Sequence, residues 1–119
     1  MKALVDTNIL IDYVQALEDA GKELSRYDQI SISRITWIEF LVCPHHPEER
    51  PVRQEMLKRY AVLELDQAVA DMAVDIRRSS RMELPDAIIL ATARVHGLLL
   101  VTRNRRDFPR REPDIRIPY

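Results

Sequence analysis

Asp6 follows the apolar run Ala3-Leu4-Val5, and a helix-like stretch begins immediately after it. A carboxylate at the carboxyl end of a first strand lies where open α/β sheets build their ligand and metal sites. Glu39 interrupts the apolar run 35–42, and Asp86 sits in the first turn of an otherwise apolar helix. Asn104 and Asp107 come just after an all-apolar strand. Most of these have ordinary explanations. Asp6 can cap a helix, Asp86 suits a helix dipole, and Asp107 suits a turn. Glu39 resists such a reading, because a partly buried carboxylate needs a partner. Arg34, Arg53 or a metal ion could be that partner.

Taken together, these positions suggest a site. Asp6 and the 102–107 segment both follow strand carboxyl ends, so they can converge on one edge of a parallel sheet. Crowded carboxylates repel one another, and a hard divalent cation relieves the repulsion; oxygen ligands select Mg²⁺ or Mn²⁺. Such a cation can activate a water and stabilise in-line displacement at a phosphodiester. Competing catalytic arrangements find no residues. The chain has two glycines, so no glycine-rich phosphate loop can form. Cys43-Pro44-His45-His46 has no second ligand pair at a zinc spacing. His96, beside Gly97, reads as the end of a helix.

The elements that must position these groups alternate between strand and helix. Residues 2–5, 29–33, 62–65, 98–102 and 115–117 read as strands. Helices are expected over 7–13, 34–43, 48–60, 66–81 and 85–96. Asp66 can cap the fourth of these, with Val69, Met72, Ala73 and Ile76 recurring on its inner face. Pro85 suits a helix start and Gly97 a helix end. In helix 34–43 the inner face is expected to carry Ile35, Ile38, Leu41 and Val42, with Pro44 as the stop and 45–47 as a loop. This alternation predicts an α/β fold with helices on both faces of a mostly parallel sheet.

Composition narrows the class. At 119 residues the chain is expected to form a single domain spanning 1–119. A formal charge of −1 gives no overall attraction for nucleic acid, so any such site must be a local patch. Arg103, Arg105, Arg106, Arg110 and Arg111 form one, and Arg77, Arg78 and Arg81 a smaller one. Cys43 is the sole cysteine, which fits a reducing compartment. No apolar run approaches the roughly 20 residues of a membrane span, and Asp6 and Asp12 break up any secretory pattern. The expected location is the cytoplasm.

Four segments resemble the signature blocks of PIN domains, in family order. They are Val5-Asp6-Thr7-Asn8-Ile9-Leu10, Ile32-Ser33-Arg34-Ile35-Thr36-Trp37-Ile38-Glu39-Phe40, Leu84-Pro85-Asp86-Ala87-Ile88-Ile89, and Leu100-Val101-Thr102-Arg103-Asn104-Arg105-Arg106-Asp107-Phe108. Within that family the chain looks most like the VapC-type toxins of prokaryotic toxin–antitoxin pairs. The resemblance implies a three-layer α/β/α domain and a Mg²⁺- or Mn²⁺-dependent ribonuclease. It also implies a homodimer, neutralised by a cognate antitoxin that occupies the active-site groove. It puts the first three acids on Asp6, Glu39 and Asp86. The fourth falls on Asn104, here an amide, or nearby on Asp107. Thr7, Asn8 and Thr102 match polar positions that line the site. On this reading a metal-activated water attacks the scissile phosphate while Arg103, Arg105 and Arg106 hold the RNA backbone. Two other readings stay open: a catalytically degenerate binding module, kept alive by Asn104, and a metal nuclease acting on DNA.

Overall fold

A computed structural model describes residues 1–43, 46–108 and 112–119. Pro44, His45, Arg110 and Arg111 lie outside the described residues, and with them the expected helix stop and part of the basic cluster. The chain order is β1 (Lys2–Val5), α1 (Thr7–Val14), α2 (Glu18–Leu24), β2 (Gln29–Ser33), α3 (Arg34–Val42), a 3₁₀ turn (Pro47–Glu49), α4 (Arg50–Leu57), β3 (Ala61–Leu63), α5 (Gln67–Ser79), α6 (Leu84–Val95), β4 (Leu99–Val101) and β5 (Ile115–Arg116). The strands form one sheet in the order β3-β2-β1-β4-β5, and every pairing is parallel. The order reverses at β1, so the crevice at the carboxyl ends of β1 and β4 is the topological switch point of the fold.

Side-chain alternation along the strands feeds two cores. Leu4, Leu100 and Ile115 pack on one face with α5 and α6, through residues such as Val69, Ala73, Ile76, Ile89 and Leu90. Ala3, Val5, Ile32 and Val101 face the other way, against Ile9, Leu10, Leu24, Phe40 and Leu57 from α1–α4. A sheet covered on both faces accounts for the uniformly apolar character of β1 and β4. No helix among the described residues is long and apolar enough to cross a membrane.

Three expectations need correction. α2 did not stand out in the sequence. Its cap residue Leu17 makes no side-chain hydrogen bond, and Ala16, which turns the chain into it, has a φ of 61° with no glycine to mark the turn. α3 buries only part of the face expected of it: Leu41 is buried and Ile35 packs partly buried on the core, but Ile38 is 45% and Val42 75% exposed, and Thr36 and Phe40 are buried instead. A helix this apolar all round carries no period from which the inner face can be read. Finally, the expected helix 48–60 starts as a 3₁₀ turn, and its α-helical part is only Arg50–Leu57.

Candidate metal and nuclease site

The backbone N–H of Asp6 donates to the Val101 carbonyl at 2.9 Å, tying the carboxyl ends of β1 and β4 together. The Asp6 side chain is 4% exposed, and both its oxygens are engaged. Oδ1 accepts the Thr7 N–H at 2.7 Å, so Asp6 does cap α1. Oδ2 accepts the Thr102 hydroxyl at 2.7 Å and the Asn8 amide at 3.3 Å. Burial raises the Asp6 carboxyl above its ordinary range. The hydrogen bonds from Thr102, Thr7 and Asn8 oppose that rise, and the Glu39 charge adds to it.

α3 brings Glu39 to the same crevice. Ser33 caps this helix by accepting the Thr36 N–H, which fixes the turn that precedes Glu39. Neither proposed arginine partner reaches Glu39. Arg34 pairs with Glu64 at 2.9 Å, and Arg53 donates to the Phe40 carbonyl at 2.8 Å. The partner of Glu39 is Thr7, whose hydroxyl donates to Oε1 at 2.6 Å. Thr7 therefore touches Asp6 through its backbone and Glu39 through its side chain.

Asp86 enters from the first turn of α6, just after Pro85. Its carboxyl is pushed up to about 7, first by burial and then by the charges of Asp6, Asp107, Glu39 and Glu83. Three other sequence-predicted positions, Asp6, Glu39 and Asp107, thus lie within electrostatic reach of Asp86. On the opposite wall Asn104 donates to Asp107 Oδ2 at 2.9 Å, and the Asp107 N–H returns to Asn104 Oδ1 at 3.1 Å. The Asn104 N–H is held by the Thr102 hydroxyl at 3.0 Å. The amide thus orients Asp107, and Asp107 contributes the charge that Asp86 feels. Among the described residues, no three acidic, histidine or cysteine side chains stand close enough to share one ion directly.

Arg103 is placed differently from the rest of its cluster. Its guanidinium lies on the buried carboxylate of Asp12, with Nε at 2.7 Å and Nη2 at 3.2 Å. Tyr119 donates to the same carboxylate at 2.8 Å. The Arg103 backbone N–H donates to Asn8 Oδ1 at 3.1 Å, which turns the Asn8 amide toward Asp6. Asp12 and Tyr119 belong to this network, and sequence reasoning missed both. The one available signal was a carboxylate, Asp12, set between Ile11 and Tyr13 on α1. Arg105 and Arg106 are exposed, with no ion pair among the described residues.

An open α/β crevice walled by carboxylates at the ends of β1 and β4 defines the class. The PIN domain family model matches residues 3–112, and the chain belongs to that family. The solved structures it resembles include a chain of a toxin–antitoxin complex from Klebsiella pneumoniae, 38% identical over 98% of both chains, with a TM-score of 0.92. A chain of DNA-bound VapBC from Salmonella typhimurium is 27% identical over 98% of this chain and 96% of that one, with a TM-score of 0.80. VapBC2 from Rickettsia felis, 19% identical over 97% and 96% with a TM-score of 0.79, shares the fold. Among curated proteins no sequence matches this chain.

Proposed function

We propose that this protein is the toxin of a type II toxin–antitoxin pair, an endoribonuclease that hydrolyses RNA phosphodiester bonds with Mg²⁺ or Mn²⁺. The observation that carries the reading is the gathering of Asp6, Glu39 and Asp107 at one sheet edge, linked through Thr7 and through Thr102 and Asn104; burial and then their charges push the neighbouring Asp86 carboxyl up to about 7. A crevice that gathers four carboxylates, none of them in an ion pair among the described residues, is destabilising unless it serves a cation. The donor set is all oxygen, as a hard divalent ion requires. Mg²⁺ keeps several of its waters and takes only one or two carboxylates directly, so it does not require three of these side chains to meet at one point. Asp6 and Asp86 would hold the ion, with Glu39 and Asp107 reaching it through water. When bound, the ion supplies a nucleophilic water at neutral pH and offsets charge gathering on the phosphate.

The chain's own residues do the rest. Thr102, Asn8 and the Thr7 N–H aim three hydrogens at Asp6 and favour its ionised form. Thr7 fixes Glu39, and Asn104 fixes Asp107, so two flexible carboxylates meet the substrate in set positions. Arg105 and Arg106 contact the RNA backbone. Arg103 instead braces the site through Asp12 and Asn8. The relatives that are toxin–antitoxin complexes support an antitoxin partner for this chain. Exposed Tyr13, Val14 and Val52 line adjoining clefts between α1 and α4, an apolar surface of the kind a partner segment covers. We place the protein in the cytoplasm as a homodimer.

The experiment is cleavage of a folded RNA pool by wild type and by Asp86→Asn, each with Mn²⁺ and with chelator. Cleavage that needs both Mn²⁺ and Asp86 is the expected result. The second reading, a binding module without catalysis, draws on the amide at Asn104. It predicts no cleavage and no Mn²⁺ uptake by either protein. Matched single-stranded RNA and DNA oligonucleotides in the same assay separate a ribonuclease from a deoxyribonuclease.

A further inference from the structure

The arginines among the described residues divide into two groups. Arg26, Arg34, Arg53, Arg94, Arg103 and Arg116 each lie on a carboxylate. Arg81 and Arg106 are exposed and have no ion pair among the described residues, and both line one cleft of about 340 Å³. The cleft lies between the carboxyl end of α5 and the residues just after it, the second half of α6, and the loop after β4. Asp107 forms part of its wall, so it opens directly beside the acidic crevice. Ile76, Met82 and Leu90, all nearly buried, form its floor. The one other carboxylate on its wall, Glu112, is countered by Arg94 at 3.9 Å. The Ser79 and Ser80 hydroxyls donate to backbone carbonyls at the end of α5; Ser80 Oγ also accepts the Met82 N–H at 3.3 Å, so Ser79 keeps its acceptor capacity and Ser80 part of it.

An apolar floor, hydroxyl oxygens that can accept, and two uncompensated guanidiniums at the rim match the parts of a nucleotide. The floor takes a base or ribose face. The acceptors take a 2′-hydroxyl or a base N–H. The guanidiniums take a phosphate, for which their forked donors are suited. The volume is near the lower end of small-ligand pockets and leaves room for one nucleotide. A base reaches such a seat only when unpaired, as in a loop or single strand. We propose that this cleft seats a nucleotide of an unpaired RNA strand next to the scissile phosphate, with Arg81 and Arg106 on its phosphate. The inference rests on the ribonuclease reading and assigns Arg81, on the far side of the cleft from the catalytic loop, to substrate binding.

The test uses the full chain. Binding of a fluorescent single-stranded RNA to Asp86→Asn protein is followed by anisotropy over a range of salt concentrations. Arg81→Ala, Arg106→Ala and, as a control on the opposite side of the sheet, Arg59→Ala are added to that background. Each cleft variant is expected to weaken binding several-fold and to lower the log–log salt slope by about 0.7, one phosphate contact on a single strand. Arg59→Ala is expected to change neither. In the active protein, the Arg81→Ala/Arg106→Ala double variant should cut kcat/KM about tenfold on long RNA. It should lose little on oligonucleotides too short to span crevice and cleft. Unchanged affinity and slope in both cleft variants, with melting temperatures held, overturn the proposal. An equal loss on short and long substrates also overturns it. If wild type fails to cleave RNA with Mn²⁺ while the arginine-dependent slope persists, the nuclease reading fails and the nucleotide seat stands.

Discussion

Asp86→Asn is expected to make this protein more stable while abolishing its cleavage activity. The Asp86 carboxyl rises from 3.8 to about 7 in the folded chain. A carboxyl whose folded value exceeds its unfolded one binds its proton more tightly when folded. Its ionisation therefore destabilises the fold, with no effect below pH 4 and a full effect above about pH 7. Three units would amount to about 4 kcal/mol if the group were dry. Asp86 is only partly buried, and solvent screening reduces that to about 1–2 kcal/mol. The first turn of α6 returns about 0.5 kcal/mol by favouring the anion. A net gain of about 1 kcal/mol for the amide corresponds to roughly 5 °C in melting temperature for a domain of this size. The assay is thermal unfolding of both proteins in chelator at pH 5 and pH 8. The variant should melt higher at pH 8, with the gap shrinking at pH 5, and added Mn²⁺ should raise wild type more than the variant. A variant that melts at or below wild type at pH 8, or a gap independent of pH, would refute the claim that the acidic crevice is strained without a cation.

Three further outcomes follow from the geometry. Thr102→Val removes a donor from Asp6 and an acceptor from Asn104, so Asp6 should rise further. Mn²⁺ affinity should then fall more at pH 6 than at pH 8, and an equal loss at both would show that Thr102 does not act through Asp6. Arg103→Ala leaves the buried Asp12 with only the Tyr119 hydroxyl. It should cost about 2 kcal/mol in urea unfolding, yet leave the salt slope of RNA binding unchanged. Gly97 has a φ of +63° with nothing near its missing Cβ, so Gly97→Ala should cost about 1 kcal/mol from backbone conformation alone. A urea midpoint that does not move would contradict that.

The sequence was legible where a local rule and the tertiary structure agree. Asp6 after an apolar run, Pro85 at the start of α6 and Gly97 after it each have a local physical cause, and each stands where expected. The parallel sheet followed from alternation of strand and helix. Residues whose roles depend on distant partners could not be read. Arg103 looked like part of a basic patch, because Asp12, its partner, lies 91 positions away. Glu39 called for an arginine or a metal, and the structure gave it a threonine hydroxyl from another helix. Asn104 looked like a lost acid, yet its amide holds the acid three residues later. Exposed Ile38 and Val42 on α3 break the rule that apolar residues mark the core, and the sequence contains no sign of which apolar face stays bare.

The crevice is closed by a bond between the first strand and nearly the last. Thr102, which completes the hydrogen bonds of Asp6, leaves the ribosome 96 positions after it. β4 inserts between β1 and β5, so during synthesis β1 waits with one edge unpaired until β4 has emerged. No N-terminal fragment that stops short of Thr102, nascent or truncated, can assemble the acidic site. For a protein proposed to be poisonous to its own cell, the topology therefore acts as a clock. It postpones assembly of the acidic site until β4 and Thr102 have emerged.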